Sequence, residues 1–200
     1  SVKSFGAKIF DGIISLEIQG DLQVIPDNLF SNCTSLTQIS FTNKIRSIGK
    51  RSFLNCSSLK EVTIKNYSPE NSTDENTLSE ETSIIDEEAF LGCSLLKNIT
   101  LPSSVTAIKK GAFSQCRSLT NIYLPPTLSS IEESAFSECS LLEEIYIPAN
   151  VTKVEDNTFA ECSSLQKIIF NISELPENGI PSLKTIEKYV FKECSSLKQI

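Results

Sequence analysis

The cysteines of this chain recur at a fixed interval, and that interval restricts the possible folds more than any other feature. Four of the six gaps between successive cysteines are 23 residues long, and the other two are 14 and 9 residues longer. A fixed period in this range is typical of a solenoid, in which each repeat forms one turn and stacks on the next. The cysteines are Cys33, Cys56, Cys93, Cys116, Cys139, Cys162 and Cys194.

Each cysteine belongs to a longer apolar frame. A phenylalanine lies three residues before it, a leucine three residues after it, and an isoleucine or valine six residues after it. The first complete copy spans Phe30 to Ile39, and the last spans Phe191 to Ile200. Because one such repeat cannot bury its own apolar side chains, the repeats must stack and bury them between neighbours.

The pattern within each repeat predicts its local structure. Apolar and polar residues alternate after each leucine, and a period of two predicts a short β-strand. Two apolar residues three positions apart follow, such as Val105 and Ile108. The Ala-Phe segment, such as Ala112–Phe113, suits one turn of α- or 3₁₀-helix. The strands should begin near Leu16, Ile39, Val62, Ile99, Ile122, Ile145 and Ile168.

The predicted fold class is a repeat solenoid of α/β type. We expect one curved parallel β-sheet on the concave face, with strands about 4.8 Å apart, and short helical turns on the convex side. Residues 1–200 should form a single domain of about eight repeats of ~23 residues. Residues 1–20 fit the frame poorly and are expected to be a degenerate or capping repeat, and the repeat ending at Ile200 is expected to be truncated.

Composition excludes several classes of function. The net charge of −7 argues against binding of nucleic acid or of an anionic membrane surface, since both need basic residues. Histidine is absent, which removes every mechanism that needs an imidazole base or ligand. No apolar run approaches the ~20 residues of a membrane-spanning helix. There is no methionine, so Ser1 is expected to be a processed end, with any targeting segment before it.

The cysteines are predicted to be buried, free thiols. Zinc sites usually need close pairs such as Cys-x-x-Cys, and the sequence has none. Neighbouring repeats lie close enough for disulfides, but stacked side chains point the same way and the number of cysteines, seven, is odd. A column of small apolar side chains is therefore expected, although buried free thiols are unusual in a secreted protein. No metal or cofactor is predicted.

Acidic residues suggest two alternatives that we weighed against a binding function. Glu132–Glu133 and Glu155–Asp156 fall on successive repeats, so a calcium site between them is one possibility. Glycoside hydrolysis needs two carboxyl groups about 5–9.5 Å apart across a cleft. The outward acids Glu61, Glu143 and Glu144 do not provide such a pair, and the chain is predicted not to be an enzyme.

The outward side chains of the predicted strands are the candidate binding surface. Early strands carry small polar residues, whereas later strands carry larger ones in neighbouring positions. Exposed aromatic residues of this kind are typical interface anchors, although β-propensity alone also places them in strands. The candidate partner-binding residues are Asn98, Thr100, Asn121, Tyr123, Glu144, Tyr146, Lys167 and Ile169.

Two insertions and seven glycosylation motifs are further candidate features. The insertions, residues 65–81 and 171–181, both follow a strand and should leave the same edge of the solenoid, where loops commonly shape a binding surface. Surface loop length costs little, so they could also be neutral. The Asn-x-Ser/Thr motifs indicate either glycosylation or simply abundant Ser and Thr. They begin at Asn32, Asn55, Asn66, Asn71, Asn98, Asn150 and Asn171.

The repeat resembles the BspA-like leucine-rich repeat family. The resemblance rests on the string AF-x-x-C-x-S-L-x-x-I-x-L-P-x-x-V-x-x-I, seen almost whole from Ala112 to Ile131 and from Ala135 to Val154. It extends from about Leu22 to Ile200. It implies a leucine-rich repeat fold and cell-surface proteins of bacteria and protist parasites that adhere to host cells or matrix.

The function predicted on these grounds is non-catalytic binding. The expected partner is a protein or a glycan of a host cell surface or extracellular matrix, and the expected location is the cell surface or the secreted fraction. An intracellular, cytoplasmic scaffold for protein–protein interaction fits the acidic, cysteine-rich composition as well. A passive spacer that presents another domain is the third alternative. Oligomeric state does not follow from the sequence.

Overall fold

A computed structural model describes residues 10–20, 22–42, 45–64, 83–170 and 183–200 of the chain. These residues form thirteen short β-strands, and every strand pairing is parallel. The strands are β1 (Ser15–Ile18), β2 (Val24–Ile25), β3 (Gln38–Phe41), β4 (Ser47–Ile48), β5 (Glu61–Ile64), β6 (Ser83–Ile85), β7 (Asn98–Ile99), β8 (Val105–Ile108), β9 (Ser130–Ile131), β10 (Glu144–Ile147), β11 (Lys153–Val154), β12 (Lys167–Phe170) and β13 (Thr185–Ile186).

The strands that follow the leucines form the first wall of the solenoid. Their order is β1-β3-β5-β7, and then β10-β12 as a separate pair. The register steps by whole repeats, as in Leu16 beside Ile39 and Ile39 beside Val62. Six of the seven expected strands are therefore confirmed. The seventh, expected at Ile122, is not formed, and the single sheet expected here is divided at that point.

A second wall consists of seven strands that the sequence pattern did not predict. Its order is β13-β11-β9-β8-β6-β4-β2. Each of these strands ends at the second of the two apolar residues that follow a strand of the first wall, such as Ile48 in β4. Only β8 contains both, Val105 and Ile108. Most of them are only two residues long, so too few positions alternate for a period of two to be detected.

The expected helical turns are wrong, because the phenylalanine segments form a third hydrogen-bonded wall instead. Residues two before and two after each phenylalanine have positive φ, such as Arg51 (54°) and Asn55 (56°) around Phe53. Left-handed residues interrupt an α-helix. They turn the N–H of Phe53 toward the next repeat, where it donates to the Ala89 carbonyl at 2.8 Å, while the N–H of Leu54 returns to Arg51 at 3.2 Å.

This third wall is formed mainly by residues that do not favour positive φ. Of the fourteen left-handed positions that flank the seven phenylalanines, only Gly92 and Gly111 are glycine. Tyr189 and Glu161 adopt φ of 57° and 62°, which is unfavourable for side chains of this kind. Hydrogen bonds to the next repeat offset that cost, for example from Glu161 N–H to the Lys192 carbonyl at 2.7 Å.

A stack of phenylalanine rings lies at the centre of the solenoid. Ring centroids of successive repeats are 5.0, 4.9, 5.1, 5.4 and 5.6 Å apart from Phe30 to Phe159, with interplanar angles of 18° or less. Leucine, isoleucine and cysteine side chains of the same frame surround the stack and are buried with it. Phe113 stacks between Phe90 and Phe136, as the repeat frame predicts.

The described part of the poorly matched first repeat closes this stack at one end. Phe10 occupies the cysteine position of the frame, yet its ring lies 4.9 Å from the ring of Phe30 at an angle of 49°. A large side chain in the cysteine position therefore covers the first ring of the column. Ala7 and both insertions lie outside the described residues. The organisation of residues 1–200 as one domain stays a prediction.

We predict that Phe113→Ala destabilises the protein by about 3–5 kcal/mol, because truncation leaves a cavity between two stacked rings. Chemical denaturation followed by circular dichroism measures the effect. The matched control is Tyr123→Ala, which removes a ring from an exposed position and should change stability by less than about 0.5 kcal/mol. An equal loss in both variants would contradict the assignment of the phenylalanine column to the core.

Candidate functional site

The cysteine column is a structural element of the core. Six of the seven cysteines are buried, and all seven are free. Cys194 is only partly buried, so the expectation of seven buried thiols is wrong at this position, in the last repeat described. Each thiol from Cys56 onward donates to the carbonyl of the phenylalanine one repeat earlier, as Cys139 Sγ does to Phe113 O at 3.2 Å. The same carbonyl also accepts the Cys116 N–H at 3.2 Å.

Burial makes these thiols poor nucleophiles and poor metal ligands. Loss of solvation raises the pKa of Cys139 to about 12, and burial likewise raises the pKa of Cys93 and Cys116. The thiolate is the reactive and metal-binding form of cysteine, so these side chains stay inert at neutral pH. In the described ranges, no group of three or more Cys, Asp or Glu side chains is arranged to hold a metal ion.

The paired charges at the start of each phenylalanine segment are linked across repeats. Lys109 lies 2.6 Å from Glu132, and Lys110 lies 2.8 Å from Glu133 in the next repeat. The hydrogen bond from Lys110 to Glu133 raises the pKa of the lysine. Ion pairs this exposed are screened by solvent and contribute little to stability.

The acids considered for a calcium site have structural partners. Glu155 accepts a hydrogen bond from the Glu133 N–H at 3.1 Å, and Asp156 accepts one from the Lys188 N–H at 2.8 Å. Glu132 and Glu133 are already paired with lysines. These carboxylates therefore connect neighbouring repeats, and the structure assigns them no arrangement that favours a cation.

The first face, defined as the outward side chains of β1, β3, β5, β7 with Thr100, residues 120–124, β10 and β12, carries all the candidate binding residues. Tyr123 is 76% exposed and Tyr146 is 53% exposed, in equivalent positions of neighbouring repeats. Lys167 and Ile169 are half-buried. The remaining candidates are also exposed: Asn98, Thr100, Asn121 and Glu144.

The strand register groups several of these residues. Glu144 and Tyr146 alternate with buried Ile145 and Ile147 in β10, so both point outward. β12 places Lys167 beside Glu144 and Ile169 beside Tyr146. A shallow depression of about 530 Å³ lies here, lined by Thr120, Asn121, Glu143, Glu144, Gln166 and Lys167.

Three of the lining residues were not among the candidate binding residues, although the sequence had identified Glu143 as an outward acid. Thr120, Glu143 and Gln166 come one residue before the outward position of each strand, outside the alternating pattern that selected the candidates. All three lie two residues before an inward isoleucine, and this shared position was the available signal. Since this position recurs in every repeat, its residues in successive repeats form one row, and that row lies along the edge of the depression.

The backbone hydrogen bonds that join neighbouring repeats in the first wall are largely missing beside Tyr123. No backbone hydrogen bond joins residues 97–101 to residues 120–124 in the described chain, and only Glu143 N–H to Thr120 O, at 3.2 Å, joins the latter to residues 143–147. An earlier repeat uses the Thr42 N–H to bond Ile18 O at 3.1 Å, whereas later repeats have proline at that position. Proline has no N–H, so each substitution removes one ladder bond. The prolines are Pro102, Pro125 and Pro148.

Four glycosylation motifs lie in described residues, and their asparagines are all exposed. Asn150 nevertheless donates its side-chain amide to the Pro126 carbonyl at 2.9 Å, which occupies the group that a glycan would modify. Asn32 and Asn55 also donate their side-chain amides, to Ser31 Oγ at 3.1 Å and to Asn32 Oδ1 at 3.3 Å. The fourth motif begins at Asn98. The motifs at Asn66, Asn71 and Asn171 lie outside the described residues.

Parallel strands, a stacked apolar column and a 23-residue period together define a leucine-rich repeat solenoid. The family model "BspA type Leucine rich repeat region" matches six copies over residues 1–73 and 65–197. The chain belongs to this BspA-type leucine-rich repeat family. Proteins of the leucine-rich repeat class generally bind other proteins and are generally non-catalytic.

Solved structures of bacterial leucine-rich repeat proteins share this fold. A leucine-rich repeat protein of T. pallidum is 25% identical with a TM-score of 0.72, and the match covers 92% of this chain and 78% of that one. One from Bacteroides ovatus is 28% identical with a TM-score of 0.72, covering 93% of this chain and 45% of that one. A leucine rich cell surface protein of Faecalibacterium prausnitzii is 26% identical with a TM-score of 0.56, covering 92% and 46%. Among curated proteins there is no match.

The described residues contain no helix that is long and apolar enough to cross a membrane. The chain spans less than half the length of the B. ovatus and F. prausnitzii proteins that it matches.

We predict that the thiols differ sharply in reactivity. Alkylation of the native protein at neutral pH should modify Cys194 first, because Cys194 is the one partly exposed thiol in the described chain. Cys194→Ser should remove this fast phase and leave the slow thiols unchanged. After denaturation without reductant, a thiol count should return all seven cysteines. A count of five or fewer would reveal disulfides and overturn the assignment of free thiols.

We also predict that stability falls as the pH rises above about 9. The ordinary thiol pKa is 9.0, and burial raises the folded-state pKa of Cys139 to about 12. The unfolded chain therefore loses this proton first, and the stabilisation is lost between about pH 9 and pH 12. Urea denaturation at pH 7 and 9.5 measures the loss in the free energy of unfolding between the two pH values. This loss should be smaller by about 1 kcal/mol in Cys139→Ala than in the wild-type protein. Equal losses in both proteins would contradict the role of this thiol.

Proposed function

We propose that the chain is a non-catalytic binding module whose first face holds a macromolecular partner. The observation that carries the proposal is the pair of exposed tyrosines, Tyr123 and Tyr146, on neighbouring repeats. A tyrosine presents a large apolar ring together with a hydroxyl that remains hydrated, and it loses little conformational entropy on binding. Two such rings in one row supply the kind of anchor that dominates protein interfaces.

The tyrosines are not explained by the packing of the fold. β-Propensity favours tyrosine in strands, but it does so through contacts with neighbouring side chains on a half-buried surface. The aromatic stacking within the described residues involves phenylalanines alone. Equivalent positions of earlier repeats carry the smaller Ser40 and Thr63, so the solenoid does not need a ring here.

The polar residues around the tyrosines favour a specific site over a general apolar patch. Asn121, Glu144 and Lys167 lie beside the rings on the same face and line the depression there. Together with Asn98, Thr100 and the half-buried Ile169, they surround an apolar centre with groups that hydrogen-bond. A polar rim around an aromatic centre is the usual organisation of a protein interface.

The proposed setting is the cell surface or the secreted fraction, with adhesion to host cells or matrix as the activity. Two observations support it: BspA-type proteins are often surface or secreted proteins, and a similar solved structure is described as a cell surface protein. An intracellular scaffold remains the alternative that the buried free thiols favour.

We predict that the double substitution Tyr123→Ala with Tyr146→Ala removes binding and leaves the fold intact. The measurement is binding of the fluorescently labelled protein to cultured epithelial cells and to a reconstituted basement-membrane matrix. Stability should change by less than about 0.5 kcal/mol per site, since neither ring fills the core. The matched control is Tyr189→Ala, because Tyr189 is 66% exposed but belongs to the phenylalanine wall.

Binding that survives the double substitution would exclude the first face as the site. Loss of binding in the Tyr189 control as well would show that the labelled protein adheres through exposed aromatic groups in general. If wild-type protein binds neither surface, the spacer alternative is favoured over adhesion.

A further inference from the structure

The charges of the first face are not evenly distributed. Glu143 and Glu144 are adjacent and exposed, and they precede Tyr146 in the repeat that follows the repeat of Tyr123. Most other acids of the described solenoid are paired with lysine or arginine, as Glu132 is with Lys109. Neither Glu143 nor Glu144 has an ion-pair or side-chain hydrogen-bond partner in the described residues, although β12 places Lys167 in register with Glu144.

Backbone acceptors lie beside these carboxylates. Residues 120–124 form no strand, and the carbonyls of Ile122 and Tyr123 accept no hydrogen bond within the described chain. Adjacent carbonyls of an extended segment point to opposite neighbours, so only one of the two can face the next repeat. The face between Tyr123 and Tyr146 therefore combines two aromatic rings, two unpaired carboxylates and an open backbone carbonyl.

We propose that this part of the first face binds an arginine- or lysine-bearing segment of a protein partner. The inference rests on the proposed function and specifies the partner's chemistry. A guanidinium group has five donors for carboxylates and carbonyls, and its plane stacks on aromatic rings. Glu144 and Tyr146, two residues apart on one face of β10, present a carboxylate and a ring to the same incoming side chain.

The charge of the whole chain supports a cationic partner. The net charge of −7 produces a field that attracts basic segments and slows the approach of acidic ones. Neutral glycans would use the rings and Asn121, but they would leave both carboxylates unpaired. An acidic glycan or peptide would meet Glu143 and Glu144 directly, which is unfavourable.

Two lysines delimit the proposed contact. Lys97 lies on the repeat before Tyr123 and Lys167 on the repeat after Tyr146, and both belong to the rows that carry the glutamates. Each repels a basic side chain placed beyond these two repeats. The contact should therefore span the two tyrosine-bearing repeats, a length that suits one or two basic residues of an extended segment.

The test uses a fluorescein-labelled peptide of five Arg-Ser dipeptides, with Lys-Ser and Glu-Ser versions for comparison. Fluorescence anisotropy at low salt should show binding of the Arg-Ser peptide, weaker binding of the Lys-Ser peptide and none of the Glu-Ser peptide. Added salt should weaken the interaction, because exposed charges are screened. Glu143→Gln with Glu144→Gln should reduce affinity for the Arg-Ser peptide at least about tenfold, since charged hydrogen bonds are lost.

The matched control is Glu161→Gln with Glu193→Gln. These two acids are exposed on neighbouring repeats of the phenylalanine wall, and their substitution changes the net charge by the same amount. Affinity in this variant should fall less than about twofold. Tyr123→Ala with Tyr146→Ala should reduce the affinity for the Arg-Ser peptide as strongly as the glutamate substitutions do.

Equal losses in the two glutamate variants would show attraction to net charge alone and overturn the inference. Absence of peptide binding, or binding unaffected by Glu143→Gln with Glu144→Gln, would overturn it too. A different result tests the proposed function. If the tyrosine substitutions leave cell or matrix binding intact, the first face is not the binding site. If those substitutions abolish cell or matrix binding while the Arg-Ser peptide does not bind, the face binds a partner of different chemistry.

Discussion

The fold depends on hydrogen bonding between the phenylalanine segments of successive repeats. Each phenylalanine carbonyl from Phe30 to Phe159 accepts the N–H of the cysteine in its own repeat and the thiol of the cysteine in the next repeat, as Phe113 O does with Cys116 and Cys139. The N–H of the same phenylalanine donates onward, at 2.8 Å from Phe113 to Ala135. These bonds hold one edge of the repeats in register, and the ring stack fills the space behind them. The strands of both walls pair on the same repeat spacing.

Much of this arrangement follows from particular residues of the sequence. The frame from Phe30 to Ile39 and its copies predicted the stacking axis, the inward residues and six of the strands of the first wall. The helical turns were predicted wrongly, because Ala112–Phe113 has the composition of a helical turn and nothing local indicates positive φ at Gln115. That conformation is stabilised by the neighbouring repeat, so a pattern within one repeat cannot reveal it.

The candidate site was predictable only in part, for a related reason. Alternation along a strand separates inward from outward residues, and it identified Tyr123 and Tyr146 correctly as exposed. It says nothing of residues just before the strand, such as Glu143, which line the depression. Nor does it predict the loss of strand pairing at Ile122, which involves the neighbouring repeats as well. The partner-binding role of these residues stays a prediction, because the exposure of a side chain does not by itself show that it binds a partner.

The open ladder and the tyrosines fall on the same repeats, and a physical argument connects them. The second and third walls keep their hydrogen bonds through this region, so the solenoid tolerates loss of pairing in the first wall. Pro102, Pro125 and Pro148 remove donors only there. A repeat held on two sides can present unpaired carbonyls on the third without unfolding. The stability of the phenylalanine wall therefore permits a polar, aromatic surface at Tyr123 that a sheet held by its strands alone would not sustain.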